Sequence, residues 1–167
     1  MLSQKMQVAI NDQINKEIYS AYLYLSMATW FEEQDLPGAA NWVFWQYKEE
    51  LEHGEKLIQY VNDRGGRVLL AAIEQPPTSW DSLVTVFEEV LAHEQLVTAS
   101  INNLVDIALE ERDHNTNNFL QWFVAEQVEE EASASDVLRQ AKMVLESRGG
   151  VFMLDRELGN RAPSAGE

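Results

Sequence analysis

The 167-residue sequence predicts an all-α protein: a four-helix bundle with one long crossover and a short fifth helix. Three observations carry this expectation. Apolar residues recur with helical period over four segments of 25 to 33 residues, and strand-like alternation is absent. Pro and Gly punctuate the chain between those segments. One connection is much longer than the others, so a single crossover joins two helical hairpins.

The first helix is expected over about residues 4–33, ending at "DLPG", where Pro37 and Gly38 interrupt the period. The second runs over about 39–63 and ends at Gly65-Gly66. The stretch "RVLLAAIEQPPTSW" has two prolines and no helical stripe, and reads as an extended connection. The whole connection between the second and third helices spans roughly 18 residues, and at about 3.3 Å per residue it can reach about 60 Å, more than the roughly 40 Å of a 27-residue helix, so the second and third helices can lie parallel. The third helix is expected over about 82–111. A polar turn, "RDHN", leads into the fourth, about 116–148, which the glycines at 149 and 150 should stop. A fifth, "VFMLDRELG", covers about 151–159, and "NRAPSAGE" is a polar tail. With no internal repeat or linker, residues 1–167 read as one domain.

Composition bounds the function. The apolar share of 46% excludes a disordered chain. No run of about 18 apolar residues is present, which argues against a membrane span. The N-terminal stretch lacks the apolar core and cleavage site of a signal peptide, and there are no cysteines, so a cytoplasmic location is expected. The lack of cysteine removes disulfides, zinc–thiolate sites and cysteine nucleophiles. Twelve Lys and Arg against 28 Asp and Glu give a net charge of −16, a surface that repels nucleic acid and anionic membranes and attracts cations.

The acid is not all on the outside. At about 100° per residue, Met6, Ile10, Glu17, Tyr24 and Ala28 fall on one line of the first helix. Ala39, Val43, Glu50, Leu57 and Val61 do so on the second, with His53 about 60° aside. Leu83, Phe87, Glu94, Ile101 and Val105 do so on the third. On the fourth, Phe123, Gln127, Glu130, Ala134, Val137 and Ala141 form the stripe. Glu126 lies at its edge, and Glu129 and Glu131 lie further out on opposite sides. Each apolar stripe is thus broken near its middle by an inward carboxylate. Glu17 and Glu50 lie nearly symmetrically about the first short turn, and Glu94 and Glu130 about the second, so antiparallel pairing places each pair at one height.

Four carboxylates at one level of a core lose several kcal/mol of solvation each and repel one another. Divalent cations among them would resolve both problems. Carboxylates with one imidazole suit iron or manganese, with zinc as a competitor. Glu50-x-x-His53 presents two ligands on one face at i, i+3, the spacing of di-iron carboxylate bundles. Tyr24 shares the Glu17 stripe, and its hydroxyl needs a partner there.

The segments "NKEIYSAYLYLSMA", "EELEHGEKLIQYVNDRGGRV", "VFEEVLAHEQ" and "NFLQWFVAEQVEEEAS" together make the chain resemble the bacterial-type non-haem ferritins over nearly its whole length. The resemblance implies the ferritin-like fold and a 24-subunit homo-oligomeric shell. It implies oxidation of Fe(II) by dioxygen or peroxide and storage of Fe(III) mineral inside. By the family's pattern, Glu17, Glu50 and His53 hold one iron. Glu50, Glu94 and Glu130 hold a second, with Glu50 bridging, Gln127 beside the pair and Tyr24 hydrogen-bonded to it. A third site would use Glu49, Glu126, Glu129 and Glu130.

There are departures from related patterns. The second half-site reads Gln127-x-x-Glu130, without the histidine of bacterioferritins, which implies a more labile second iron. Glu52 stands where bacterioferritins place a haem-ligating methionine, so no haem is expected. Asn117 and Leu120 stand where animal ferritins place acidic channel residues. The runner-up function, a di-iron peroxidase or oxidase of the rubrerythrin kind without storage, usually brings cysteine-ligated iron, and the chain has no cysteine. Finally, Trp30, Phe31, Trp42, Phe44, Trp45, Trp80 and Trp122 are expected to exceed the capacity of one bundle core and to mark subunit interfaces.

Overall fold

A computed structural model describes residues 1–162. Among them the chain forms α1 (Gln4–Glu33), α2 (Pro37–Asp63), α3 (Leu83–Glu110), α4 (His114–Val144) and α5 (Arg148–Leu158), with no strand. The last five residues of the expected polar tail lie outside the described residues. No helix of the described residues is long and apolar enough to cross a membrane.

Local chemistry accounts for most helix starts. Ser3 accepts from the Met6 amide, Asp113 from Thr116, and Ser147 from Gly150. Ser82 and Thr85 form a reciprocal capping box at the start of α3. The second helix begins at Pro37, not near Ala39. Proline lacks only a donor that a first turn leaves unused, so Pro37 starts the helix instead of preceding it. Its residue before the helix, Leu36, offers no side-chain cap. Asp155 of α5 supplies one from a distance, its Oδ1 accepting the Ala39 amide at 2.9 Å. Gly38 is needed for this approach, because a Cβ there would stand 1.6 Å from the Asp155 carbonyl oxygen.

The end of α4 also departs from expectation. The helix stops at Val144 instead of continuing to Arg148, and Gly149-Gly150 lie inside the first turn of α5. The Ser147 cap restarts a helix there, which makes the glycines part of a start instead of a stop.

The crossover climbs the side of α1 in that helix's own direction. Asn11 bonds the Arg67 carbonyl at 3.1 Å, Asn15 that of Ala72 at 3.1 Å, and Ser26 that of Pro77 at 2.6 Å. It delivers α3 antiparallel to α1, as the pairs Lys5–Glu110, Lys16–Ser100 and Ser20–His93 record. The second and third helices are therefore parallel, and the architecture is the ferritin-like bundle with its short C-terminal helix.

The core divides into two apolar clusters. One holds Phe31, Trp42, Val43, Phe87, Leu138 and Leu154. The other, toward the opposite end, holds Met6, Ile14, Leu57, Ile101, Leu120 and Phe123. Between them lies a layer in which Glu17, Ser20, Gln46, Glu50, His53, Glu94, Gln127 and Glu130 are all buried. Of the seven aromatic residues expected to overfill the core, Trp30, Phe31 and Trp42 do fit inside it. Phe44 and Trp122 are exposed, and Trp45 and Trp80 are half-buried.

Candidate metal centre

Each helix delivers its inward polar residue at the middle of an otherwise apolar stripe, and the four meet in the layer between the clusters. Glu17 is held by Gln13, one turn earlier on α1, whose Nε2 donates to Glu17 Oε1 at 2.8 Å. The Gln13 oxygen in turn accepts from the Ser100 hydroxyl, which the Lys16 ammonium contacts at 2.6 Å. One oxygen of Glu17 is thereby fixed, and the other, Oε2, is buried with no hydrogen-bond partner. Both oxygens of Glu50 are in the same condition. Its basic neighbour is His53 on the next turn of α2, with Nδ1 3.5 Å from Glu50 Oε2.

The other two carboxylates are anchored differently. Glu94 accepts from the Tyr24 hydroxyl and, at 3.2 Å, from Gln127 Nε2. The Gln127 amide also reaches the Glu94 carbonyl and Thr98 Oγ1, both at 3.3 Å, so α3 and α4 are latched together here. Glu130 accepts from Gln46 Nε2 of α2 at 2.7 Å, which leaves Gln46 Oε1 buried and unpartnered.

Ligand-type atoms of Glu17, Glu50 and His53 all lie within 4.8 Å of one another. Those of His53, Glu126 and Glu130 do the same. His53 thus joins two donor groups. Its ring is held edge-on to Trp122 and Phe123, with centroids 5.4 and 6.0 Å away.

Burial shapes the electrostatics. Glu17 is pushed well above the usual carboxylate range by desolvation and then by the charge of Glu50. Glu50 is pushed up likewise by desolvation and by Glu94. Desolvation also raises Glu94, against the pull of hydrogen bonds from Tyr24 and Gln127. Glu130 is raised to about 7 by desolvation and by Glu94. The Tyr24 phenol is pushed well above its ordinary value by burial and by Glu94, so it stays a donor. Beside Glu94, burial lowers His93 to about 4, and its ring is neutral against Tyr19 and Tyr24.

Buried polar atoms are almost always paired. A group of unpartnered carboxylate oxygens facing an imidazole is satisfied by protons or by a cation. The donor set suits a hard-to-borderline divalent ion.

All seven residues expected at the inner site, Glu17, Tyr24, Glu50, His53, Glu94, Gln127 and Glu130, therefore meet in one layer. The three expected further out do not behave alike. Glu126 is half-buried and reaches the His53–Glu130 group. Glu129 is exposed and belongs to neither donor group. Glu49, half-buried, accepts from the Arg161 guanidinium at 2.6 Å. Sequence reasoning passed over Gln13 and Gln46. Each precedes an inward Glu by one turn on the same stripe, a signal that was available. No local pattern pointed to Arg161.

Known proteins resemble this chain over nearly its whole length. The Ferritin family, described as a ferritin-like domain, matches residues 7–144. A bacterial non-heme ferritin of Campylobacter jejuni is 43% identical over 98% of both chains. One of Bacteroides fragilis is 42% identical over 96% of this chain and 100% of its own. Among solved structures, a novel open pore ferritin from the hyperthermophilic archaeon Archaeoglobus fulgidus is 51% identical. It superposes with a TM-score of 0.96 over 97% of this chain and 100% of its own. With the family match spanning most of the chain and the solved relative sharing its fold, this protein belongs to the ferritin family and is related to the bacterial non-heme ferritins over nearly its whole length.

Proposed function

We propose that the protein is an iron-storage ferritin with ferroxidase activity. It takes Fe(II) as substrate into the carboxylate layer, oxidises it with dioxygen or peroxide, and retains Fe(III) mineral inside a 24-subunit shell in the cytoplasm. The observation that carries this reading is the group of orphaned oxygens, Glu17 Oε2 and both of Glu50, set against His53 in a buried layer. A cation that enters there has only protons to displace, among them one that Glu17 and Glu50 can share. Glu17, Glu50 and His53 would hold one iron, and Glu50, Glu94 and Glu130 the other, with Glu50 facing both. Gln13 and Gln46 position Glu17 and Glu130 by fixing one oxygen of each. Tyr24 and Gln127 hold Glu94 in place from two helices.

Glu126, Glu130 and His53 supply the inner part of a third position, with Glu49 and Glu129 at its rim. Carboxylate-rich surroundings favour a hard ion there and draw oxidised iron outward. The exposed apolar side chains Phe152 and Met153 on α5, with Phe44 on α2, are the faces that assembly would cover.

Sedimentation of the protein after aerobic loading with Fe(II) tests assembly and retention together. Storage predicts a large particle with many iron atoms per subunit travelling with the protein. An oxidase without storage would turn iron over and retain little. A monodisperse 19.1 kDa species, or a shell that neither oxidises nor retains iron, would overturn the proposal.

A further inference from the structure

The Glu49 carboxylate already has a cationic neighbour built into the chain. Arg161, three residues past the end of α5, donates from one terminal nitrogen to Glu49 Oε2 at 2.6 Å and from the other to the Trp42 carbonyl at 3.0 Å. Its guanidinium lies over the Trp42 ring, 4.4 Å from the centroid. Both partners of the ion pair are largely enclosed, with side chains 19% and 14% exposed. The segment that carries Arg161 is fastened as well. The Asn41 amide bonds the carbonyls of Leu158, Gly159 and Arg161 at 3.4, 3.5 and 3.1 Å, and Asp155 caps α2 across the close approach at Gly38. This is a planar fork held on three sides, a geometry that lysine could not reproduce.

We propose that Arg161 is a positioning residue that holds Glu49 away from the third metal position and so sets how weakly a third ion binds. The inference rests on the third position described above. With Glu49 engaged by Arg161, the donors within mutual reach are those of His53, Glu126 and Glu130. A third ion must compete with the guanidinium for Glu49. When it succeeds, it frees Arg161 and loosens the tie between the C-terminal segment and α2. Weak occupancy suits a transit position, because an ion held too firmly there would block the passage of the next.

The test is anaerobic equilibrium binding of Fe(II) alone to the full-length assembled protein, comparing the parent with Arg161→Gln, Arg161→Lys and Glu49→Gln. Arg161→Gln should tighten the weakest of three binding events per subunit by roughly threefold to tenfold and leave the first two unchanged. Arg161→Lys, which keeps the charge and loses the fork, should tighten it less. In a Glu49→Gln background, removing Arg161 should change nothing. A third event that is unchanged or weaker in Arg161→Gln overturns the inference. So does equal tightening with Glu49 removed, or two events only in both parent and variant. If Arg161→Gln does not assemble, Arg161→Lys decides alone, and an unshifted third event in it is the overturning result. Loss of all Fe(II) binding in the parent would instead sink the metal-centre reading itself.

Discussion

Above and below the carboxylate layer, the bundle is built from side chains such as Phe31, Phe87, Ile14 and Leu57 that are completely enclosed. Within the layer, buried groups are equally enclosed, yet three carboxylate oxygens and an amide oxygen have no hydrogen-bond partner. The two regions are buried alike and serve opposite ends. In the apolar clusters each enclosed group lowers the free energy of folding by leaving water and meeting close neighbours. In the layer each enclosed carboxylate raises it, and that loss is offset only when a proton or a cation arrives. The difference shows how one bundle can keep a binding site ready without collapsing around it: the apolar ends supply the stability that the polar middle spends.

The strongest test of this contrast is a cavity in an apolar cluster. Phe87 is fully buried against Phe31 and Trp42. Phe87→Ala should lower the unfolding free energy by about 4 kcal/mol in denaturant titration. The initial rate of Fe(II) oxidation in the remaining folded protein should stay near the parental value. A loss of oxidation with stability intact would show that the regions are not separable.

The converse change is Glu50→Ala. It should slow the fast oxidation phase by about 100-fold or more, beyond the usual effect of losing an outer-layer partner. The metal-free protein should remain assembled and be no less stable to heat. Stopped-flow oxidation and thermal scans would read both. A parental rate in Glu50→Ala would mean that the centre lies elsewhere.

The pH dependence sharpens the comparison. The folded-state value of Glu130 is raised to about 7, above its ordinary 4.5. Between these values the unfolded chain has released the proton while the folded chain still keeps it, so the group's contribution to stability falls as pH rises through that window. For the metal-free protein, the stability of Glu130→Gln relative to the parent should therefore grow from about pH 4.5 to about pH 7 and then level off. The gain should be about 3 kcal/mol. A gain that does not change with pH would show that Glu130 carries no such strain. His93, lowered to about 4, works in the other direction on acidification and is common to both proteins, so it cancels in the difference.

The smallest effect is expected at the third position, outside the inner centre. Changing Glu49, Glu126 and Glu129 together to Ala should leave the first two irons per subunit oxidised quickly. Later turnovers and the iron-to-oxygen stoichiometry should change by a few fold. Oxygen-electrode traces through repeated additions would show it. Loss of the initial phase would make these residues part of the inner centre, and unchanged later turnovers would reduce them to surface charge.

Much of this was legible in the sequence because it depends on local period. A stripe that repeats on one face of a helix must point inward, and a glutamate on that stripe goes with it. Glu17, Glu50, Glu94 and Glu130 were therefore readable from residue spacing, and the two short turns put each pair at one height. The same reasoning erred where an isolated residue serves two uses. Pro37 can precede a helix or begin one, and Gly149-Gly150 can end a helix or sit in the next one's first turn. The aromatic residues Trp30, Phe31 and Trp42 fit inside because the apolar cluster that holds them is shared by all five helices, a capacity that no single stripe reveals.

By itself the sequence determined the helices, their inward faces, the chemical character of the buried layer and the absence of thiol chemistry. Those properties follow from identities and spacings along one chain segment at a time. Only the tertiary structure decided which oxygen of each carboxylate is held and which is left open. Gln13 fixes Glu17 through α1 and α3, Gln46 of α2 fixes Glu130 of α4, and Arg161 reaches back 112 positions to Glu49. Asp155 likewise caps a helix that begins 118 positions earlier, at Pro37. Such contacts are set by the distance between side chains once helices are docked, and a hydrogen bond is lost within a few tenths of an ångström. Period fixes direction, and docking alone fixes distance.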